Sequence, residues 1–155
     1  MKEIPGPKHN QTIVDFMKRF SGGAIYDDET AWCGGFMGFI LERNNLPIPA
    51  NPLGARQYLT IGKRLDKPAV GALAVWWRGE RNGYMGHVNL IGGRSARGWL
   101  VCVGGNQNNA VTWAEYQHEG EGNRLLGYVW PSIWPAQERF NLPLLNIKGT
   151  VLTES

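Results

Sequence analysis

Residues 26–45 read Tyr-Asp-Asp-Glu-Thr-Ala-Trp-Cys-Gly-Gly-Phe-Met-Gly-Phe-Ile-Leu-Glu-Arg-Asn-Asn. Acidic residues and Thr30 precede an apolar segment that places Phe36, Phe39 and Ile40 on one face, which predicts a helix with a capped start. Each of the three glycines inside this helix costs about 1 kcal/mol relative to alanine. We therefore expect the helix to pack very closely against another part of the chain.

Helical patterns lie on both sides of this segment. Upstream, apolar residues recur at the i, i+3, i+4, i+7 spacing of an amphipathic helix from Thr12 to Phe20, with Thr12 as the predicted N-cap and Gly22-Gly23 as its end. Downstream, three prolines require an irregular connection, and a short helix is expected over residues 54–61.

The pattern changes to β after Pro68. Apolar runs separated by turns rich in glycine and asparagine predict an antiparallel meander, with strands over residues 70–77, 87–91, 99–103, 111–113 and 125–130. Helices first and strands second indicate an α+β fold, in which N-terminal helices pack on a small antiparallel sheet. We expect one domain over residues 1–155, with a core from about residue 12 to 130 and a C-terminal extension over residues 131–155.

Composition excludes several classes of protein. The chain is 43% hydrophobic and 19% charged, unlike a disordered tail. Its net charge of +3 is scattered, so we expect no nucleic-acid partner. No apolar run approaches the length of about 20 residues that is needed to span a bilayer, so we do not expect membrane insertion. The N-terminus lacks the apolar region of a signal peptide, which predicts synthesis in the cytoplasm without a leader.

Cys33 is the first candidate for chemistry, because the start of a helix favours a thiolate. Gly34 and Gly35 beside it would let a substrate backbone approach closely. The alternative is a buried cysteine that acts as a small hydrophobe. Cys102 lies in an apolar run and is expected in the core, and the sequence leaves open whether the two cysteines form a disulfide.

His87 and Asn106 complete a candidate nucleophile–base–orienter set. His87 opens an apolar strand after a glycine turn, and Asn106 follows the next strand, from which an amide oxygen could fix the imidazole tautomer. The alternatives are a structural histidine and ordinary loop chemistry. The other two histidines, His9 and His118, are expected to be solvated.

Other kinds of site have weaker signals. No metal-ligand spacing occurs, so neither a metal nor a cofactor is expected. Asp27, Asp28 or Glu29 could pair with Glu42 or Glu80 for glycoside cleavage, although helix capping also explains the acidic run. The tryptophans could stack on sugars, but Trp76, Trp99 and Trp113 lie in strand-like runs that favour the core. A carboxylate-dependent muramidase and a non-catalytic glycan-binding module therefore stay open.

Four motifs, in order, resemble those of papain-like peptidoglycan hydrolases of the CHAP and NlpC type, notably a small phage-associated branch. Residues 32–36 resemble the Trp-Cys-Ala-Ala-Phe helix start, and residues 71–76 resemble a Gly-Asp-Ile-Val-Val-Phe strand. Residues 86–88 match Gly-His-Val, and residues 104–107 match Gly-Gly-Asn-Gln. The chain departs from the family at Ala72, where the family has Asp, and at Gly104, where many relatives have an acidic residue.

The resemblance implies a papain-like fold with Cys33 as nucleophile, His87 as base and Asn106 as orienting residue. It also makes Tyr26, Glu29, Trp32 and Gln107 candidates for substrate or oxyanion binding. The implied activity is cleavage of a peptidoglycan amide, as an endopeptidase or N-acetylmuramoyl-L-alanine amidase, by a monomer without a cofactor. Since we expect no leader, such an enzyme would reach the periplasmic wall as a phage endolysin or as an injected antibacterial effector with a cognate immunity protein.

Overall fold

A computed structural model of the chain describes residues 1–148 and has the expected α+β architecture. Its elements, in chain order, are α1 (Gln11–Phe20), α2 (Cys33–Arg43), a 3₁₀ helix (Ala55–Thr60), β1 (Lys63–Leu65), β2 (Leu73–Trp77), β3 (Gly86–Arg94), β4 (Leu100–Gln107), β5 (Ala110–Tyr116), β6 (Leu125–Trp130) and a second 3₁₀ helix (Gln137–Phe140). The predictions of both helices, the short third helix and β6 are confirmed to within a few residues, apart from the start of α2.

The strands form one antiparallel sheet in the order β1-β6-β2-β3-β4-β5. The predicted meander is confirmed for β2 to β5. In contrast, β6 crosses back to pair with β2 and β1 rather than with β5. The sequence did not reveal β1, because two of its three residues are charged and exposed and carry no apolar pattern.

The start of α1 differs from the prediction. The N-cap is Asn10, not Thr12: the Asn10 Oδ1 accepts the backbone N–H groups of Thr12 and Ile13 at 3.1 and 3.4 Å. Asparagine is at least as good a cap as threonine, so the helix begins earlier. Its buried face, which includes Ile13 and Phe16, packs with Trp32 at the start of α2.

Helix α2 packs as closely as its glycines predict. A Cβ atom on Gly34 would lie 2.7 Å from the carbonyl oxygens of both Pro52 and Leu53. A Cβ atom on Gly35 would lie 2.9 Å from the Met17 sulfur, and one on Gly38 would lie 2.8 Å from the Tyr58 hydroxyl. The expectation that Gly34 and Gly35 leave room for a substrate is therefore wrong, because this space is filled by the protein itself.

The acidic run before α2 does not cap that helix. Trp32 is the N-cap residue and makes no side-chain capping bond. Asp27 accepts the N–H groups of Glu29 and Thr30 in the preceding turn. Asp28 is fully buried and accepts the N–H groups of Ile4 and Asn10 together with a contact from His9.

Burial alone would raise the pKa of Asp28, but the bonds from Asn10, Ile4 and His9 outweigh it and hold this pKa below its usual value. The carboxylate therefore ties the N-terminal segment to the chain that leads into α2. His9 is half-buried in this contact, and the His118 side chain is only 9% exposed, so the expectation that both are solvated is wrong.

The first part of the C-terminal extension packs on the sheet. Ala136 is buried in the core on the face opposite α2, and Phe140 and Leu142 pack against it. The backbone of Arg94 at the end of β3 exchanges hydrogen bonds with Pro143 and Leu145. Residues 149–155 of the expected extension lie outside the described residues. Within residues 1–148, no helix is long and apolar enough to cross a membrane.

Candidate active site

Cys33 is the first residue of α2 and is only 3% exposed. Its Sγ lies 3.9 Å from the carbonyl oxygen of Gly86, the residue that precedes His87. The start of α2 therefore meets the start of β3. The first turn of a helix directs backbone N–H groups and the positive end of its dipole toward this point, which favours a thiolate or an oxyanion there.

The end of β4 reaches the same place because Gly105 has no side chain. A Cβ atom on Gly105 would lie 2.6 Å from the Cβ of Phe36 and 2.7 Å from the Trp32 ring. A glycine is thus required where β4 crosses the first turn of α2. Three of the motifs singled out in the sequence, at the starts of α2 and β3 and at the end of β4, meet here.

The His87 side chain is fully buried and is contacted on several sides. Its Nε2 lies 3.1 Å from the Gln107 Oε1, and its Nδ1 lies 3.3 Å from an Nη atom of Arg78. The imidazole stacks on the Tyr116 ring, with centroids 5.8 Å apart and planes 10° from parallel. These contacts fix the orientation of the imidazole.

A chain of hydrogen bonds also fixes the tautomer of His87. The Trp76 indole N–H can only donate, and it donates to the Asn89 Oδ1 at 3.0 Å. The Asn89 amide group therefore donates to the Gln107 Oε1 at 3.2 Å, and the Gln107 Nε2 donates to the Thr112 carbonyl at 2.7 Å. Since the Gln107 Oε1 is an acceptor, the His87 Nε2 carries the proton.

The Nδ1 of His87 is therefore the nitrogen that accepts. The contact between Arg78 and Nδ1 is consistent with this assignment, because a guanidinium group donates hydrogen bonds and never accepts them. The resting imidazole is consequently neutral, protonated at Nε2 and basic at Nδ1. This is the tautomer that a general base needs if it is to take a proton through Nδ1.

Gln107, rather than Asn106, is the side chain that contacts His87. The reason is a bulge in β4: Gly104 pairs with Thr112 while Gln107 pairs with Ala110, so β4 contains one extra residue. Asn106 has a φ of 55°, in the left-handed region that asparagine tolerates. Without the bulge, strand alternation would place Asn106 on the same face of the sheet as Gly104, which is the face that contacts Asn89. The predicted orienting role of Asn106 is therefore wrong, and Gln107 is the residue that contacts the imidazole.

The remaining predicted site residues lie around this centre rather than on the imidazole. Tyr26 is 68% exposed and Glu29 is exposed, both in the turn region that precedes α2. Trp32 is fully buried, and its indole N–H donates to the Glu3 carboxylate at 2.6 Å. Trp32 therefore holds the N-terminal segment in place.

Three of the five candidate carboxylates for glycoside cleavage bind other groups. Asp27 and Asp28 accept the backbone bonds described above, and Glu42 forms an ion pair with Arg19 at 2.5 Å. Among the tryptophans expected in the core, Trp76 is buried, but Trp113 is 46% exposed, so the expectation is wrong for Trp113.

Sequence reasoning missed Asn89, Arg78 and Tyr116. Alternation along β3 puts Asn89 on the same face as His87, so a signal for Asn89 was present. Arg78 lies in a charged turn, and Tyr116 lies in a strand predicted only as far as residue 113, so neither carried a readable signal.

Tyr58 on the 3₁₀ helix fixes the start of α2 from the other side. Its buried hydroxyl donates to the carbonyls of Gly34 and Pro52 at 2.7 and 3.1 Å. Burial, followed by the nearby Cys33 sulfur, raises the pKa of Tyr58 above its usual value, so the hydroxyl stays a donor.

The two cysteines are both free thiols, so they do not form a disulfide. Cys102 is fully buried in the core as expected, and burial raises the pKa of its thiol far above the usual value. Among residues 1–148, no group of three or more His, Cys, Asp or Glu side chains could hold a metal ion. Comparisons with protein-family models, curated proteins and solved structures find no match for this chain.

Proposed function

We propose that the chain is a papain-like cysteine hydrolase that cleaves an amide bond of bacterial peptidoglycan. Cys33 is the nucleophile, His87 the general base and Gln107 the residue that orients the imidazole. The observation that carries the proposal is the meeting of the starts of α2 and β3 with the end of β4. It brings the Cys33 sulfur to within 3.9 Å of the Gly86 carbonyl and Gln107 to within 3.1 Å of the His87 Nε2.

In the proposed reaction, Cys33 and His87 first form a thioester with the substrate and then hydrolyse it. As the His87 imidazole takes the thiol proton, the Cys33 sulfur attacks the carbonyl carbon of the amide. Backbone N–H groups at the start of α2 stabilise the oxyanion, and each such donor is typically worth about 2.7–4 kcal/mol. His87 then protonates the leaving amine. Water, deprotonated by His87, hydrolyses the thioester and restores the thiol.

The choice of peptidoglycan rests on the resemblance of the four motifs to those of wall hydrolases. A scattered excess of positive charge, +3 in total, is compatible with an anionic wall polymer. The bond cleaved is a stem-peptide bond or the amide between glycan and peptide, for an endopeptidase or an N-acetylmuramoyl-L-alanine amidase respectively.

The test is digestion of purified peptidoglycan by the wild-type chain and by the Cys33→Ala and His87→Ala variants. We expect new amino groups with the wild-type protein and none with either variant, while circular dichroism shows that both stay folded. Cys102→Ser serves as the matched control, because it alters the cysteine of the core. Full activity of Cys33→Ala would overturn the proposal.

The same digestion separates the two alternative functions. A glycan-binding module would bind the wall and release no amino groups. A muramidase would release reducing ends instead, and mass spectrometry of the products identifies which bond is cleaved. A gene for a pore-forming protein beside this one would indicate an endolysin, and a gene for an immunity protein would indicate an injected effector.

A further inference from the structure

The segment between β6 and the second 3₁₀ helix exposes two large apolar side chains. Ile133 is 95% exposed and Trp134 is 73% exposed. The segment is nevertheless anchored at both ends, because Pro131 is buried and Ala136 lies in the core of the sheet. The exposure of these two side chains is therefore built into the fold.

Hydrogen bonds also fix the backbone of Trp134 itself. The Trp130 indole N–H donates to the Trp134 carbonyl, and the Trp134 backbone N–H donates to the Ser132 hydroxyl at 3.2 Å. The indole is thus presented to solvent on a restrained backbone. A ligand that contacts the indole would pay little for ordering the chain beneath it, which is the condition for a preorganised binding site.

Two open cavities have the exposed pair in their lining. Their volumes are about 650 and 310 Å³, and Lys63, Ser132, Ile133 and Trp134 line both of them. Because the cavities share these four residues, they adjoin and form one groove, which we call the Trp134 groove. A groove with space for a ligand in two adjoining cavities suits a polymer better than a single small molecule.

The lining of the Trp134 groove mixes apolar and uncharged polar groups. The larger cavity adds the amides of Asn44 and Asn45 and the apolar side chains of Leu46 and Pro47. Lys63 is the only titratable residue among the described residues that line the two cavities, and it is exposed. The charge of the groove is therefore positive, which complements a neutral or anionic ligand and disfavours a cationic one.

The Trp134 groove lies at the end of the molecule opposite the candidate active site. Cys33 begins α2 and Asn44 follows its last residue, so the 11 residues of the helix separate them by about 16 Å. The sheet gives the same result: Trp76 pairs with both His87 and Leu125, so β6 begins near His87 and ends at the groove. A ligand in the groove would leave the active site open.

We propose that the Trp134 groove binds the glycan strand of peptidoglycan as a second, non-catalytic site. A pyranose ring has an apolar C–H face that an indole can cover, and hydroxyl and acetamido groups at its rim that amides and hydroxyls can bind. Lys63 would lie beside the carboxylate that a muramic acid residue exposes once its peptide has been removed. The proposal rests on the proposed function, which makes the wall the substrate, and adds a contact that holds the enzyme on the polymer.

Calorimetric titration tests the groove with a glycan that carries no peptide. The probe is a hexamer of N-acetylglucosamine, and the protein is the full chain with Cys33→Ala, so that no cleavage interferes. We expect binding, and we expect Trp134→Ala to weaken it at least about tenfold, as for an anchor residue of an interface. Trp134→Phe should keep part of the affinity. Trp113→Phe is the control, because Trp113 is an exposed tryptophan on β5 that does not line the groove, and should keep all of it.

A second probe tests the role assigned to Lys63. Glycan strands of the wall from which the peptides have been removed carry free carboxylates, whereas the N-acetylglucosamine hexamer is neutral. Lys63→Gln should weaken binding of the acidic strands, more so at low salt, and should leave binding of the neutral hexamer nearly unchanged. An equal loss for both probes would overturn the charge contact.

Three results would overturn the proposal: no binding of either glycan, equal binding after Trp134→Ala, or a dimer that Trp134→Ala converts to monomers. The last result, measured by sedimentation, would show that a second copy of the chain covers the groove. Circular dichroism checks the fold of each variant. Trp134→Ala removes an exposed side chain and keeps the backbone groups that bind Trp130 and Ser132, so it should stay folded.

Digestion of purified wall separates this proposal from the proposed function. With Cys33 intact, Trp134→Ala should raise the wall concentration that gives half of the maximal rate and leave the maximal rate unchanged, because the groove does not touch the reacting bond. Amino-group release with an unchanged half-saturating concentration would refute the groove but keep the hydrolase. Glycan binding that depends on Trp134, without any release of amino groups, would refute the hydrolase but keep the groove.

Discussion

Replacing Gln107 with leucine tests whether this residue, and not its neighbour, orients His87. The Gln107 Oε1 accepts three bonds, from the His87 Nε2–H at 3.1 Å, the Asn89 amide at 3.2 Å and the Tyr116 hydroxyl at 3.0 Å. Its Nε2 donates to the Thr112 carbonyl at 2.7 Å. Leucine has similar bulk but can make none of these four bonds.

The magnitude follows from what the variant leaves unsatisfied. Each buried donor that loses its acceptor costs about 1–3 kcal/mol. With the lowest cost of this range for each of His87, Asn89 and Tyr116, the free energy of unfolding falls by about 3 kcal/mol. This is a large part of the total free energy of unfolding of a small domain, which is usually about 5–15 kcal/mol. The imidazole also loses the bond that fixes its tautomer, so kcat should fall at least about tenfold at constant pH.

Asn106→Gly is the matched control, because glycine adopts the φ of 55° at this position without strain. It removes the amide that the sequence pattern favoured as the orienting group. Urea unfolding and the rate of amino-group release are measured for both variants. We expect Asn106→Gly to stay within about 0.5 kcal/mol of the wild-type stability and to keep most of the activity. If Asn106→Gly lost the activity and Gln107→Leu kept it, our assignment of the hydrogen bonds would be wrong.

Three further predictions concern the support of the site. Gly105→Ala should destabilise the fold by about 1–3 kcal/mol and slow Cys33 alkylation, because the new Cβ would overlap the first turn of α2, as thermal unfolding and alkylation rates would show. Tyr58→Phe should cost about 1–2 kcal/mol in urea unfolding and leave the α1 packing intact, because the Gly34 and Pro52 carbonyls lose a buried donor. The pKa of Asp28 is lowered, so its ionised form contributes stability that is complete above about pH 4 and is lost as the pH falls toward the folded-state pKa. The free energy of unfolding of Asp28→Asn should therefore depend less on pH in this range, and an unchanged slope would contradict the assignment.

Local signals in the sequence were enough to predict much of the fold. The spacing of Ile13, Phe16 and Phe20 predicted α1, and turn residues between apolar runs predicted β2 to β6. The glycines of α2 predicted close packing, and its tight contacts with the Pro52–Leu53 backbone confirm this. The position of β6 next to β2 could not be predicted, because it depends on pairing between residues more than 50 positions apart, such as Leu73 and Val129.

The candidate site was predicted only as far as strand alternation allows. Cys33 and His87 follow from a helix start and a strand start. The third residue depends on whether β4 contains an extra residue near Asn106, and a bulge of one residue reverses which side chains face His87. Asn106 and Gln107 are adjacent and carry the same amide group, but their side chains lie on opposite faces of the strand. Only the register of β4 against β5 distinguishes them.

The same bulge explains why the hydrogen bonds around His87 are set by the core of the sheet and not by the loops. The Gln107 amide is fixed at one end by the Thr112 backbone and at the other by Trp76 through Asn89. Both anchors are structural groups that cannot reverse their role as donor or acceptor. The tautomer of His87 is therefore set by the folded core of the sheet, to which Trp76 and the Thr112 backbone belong.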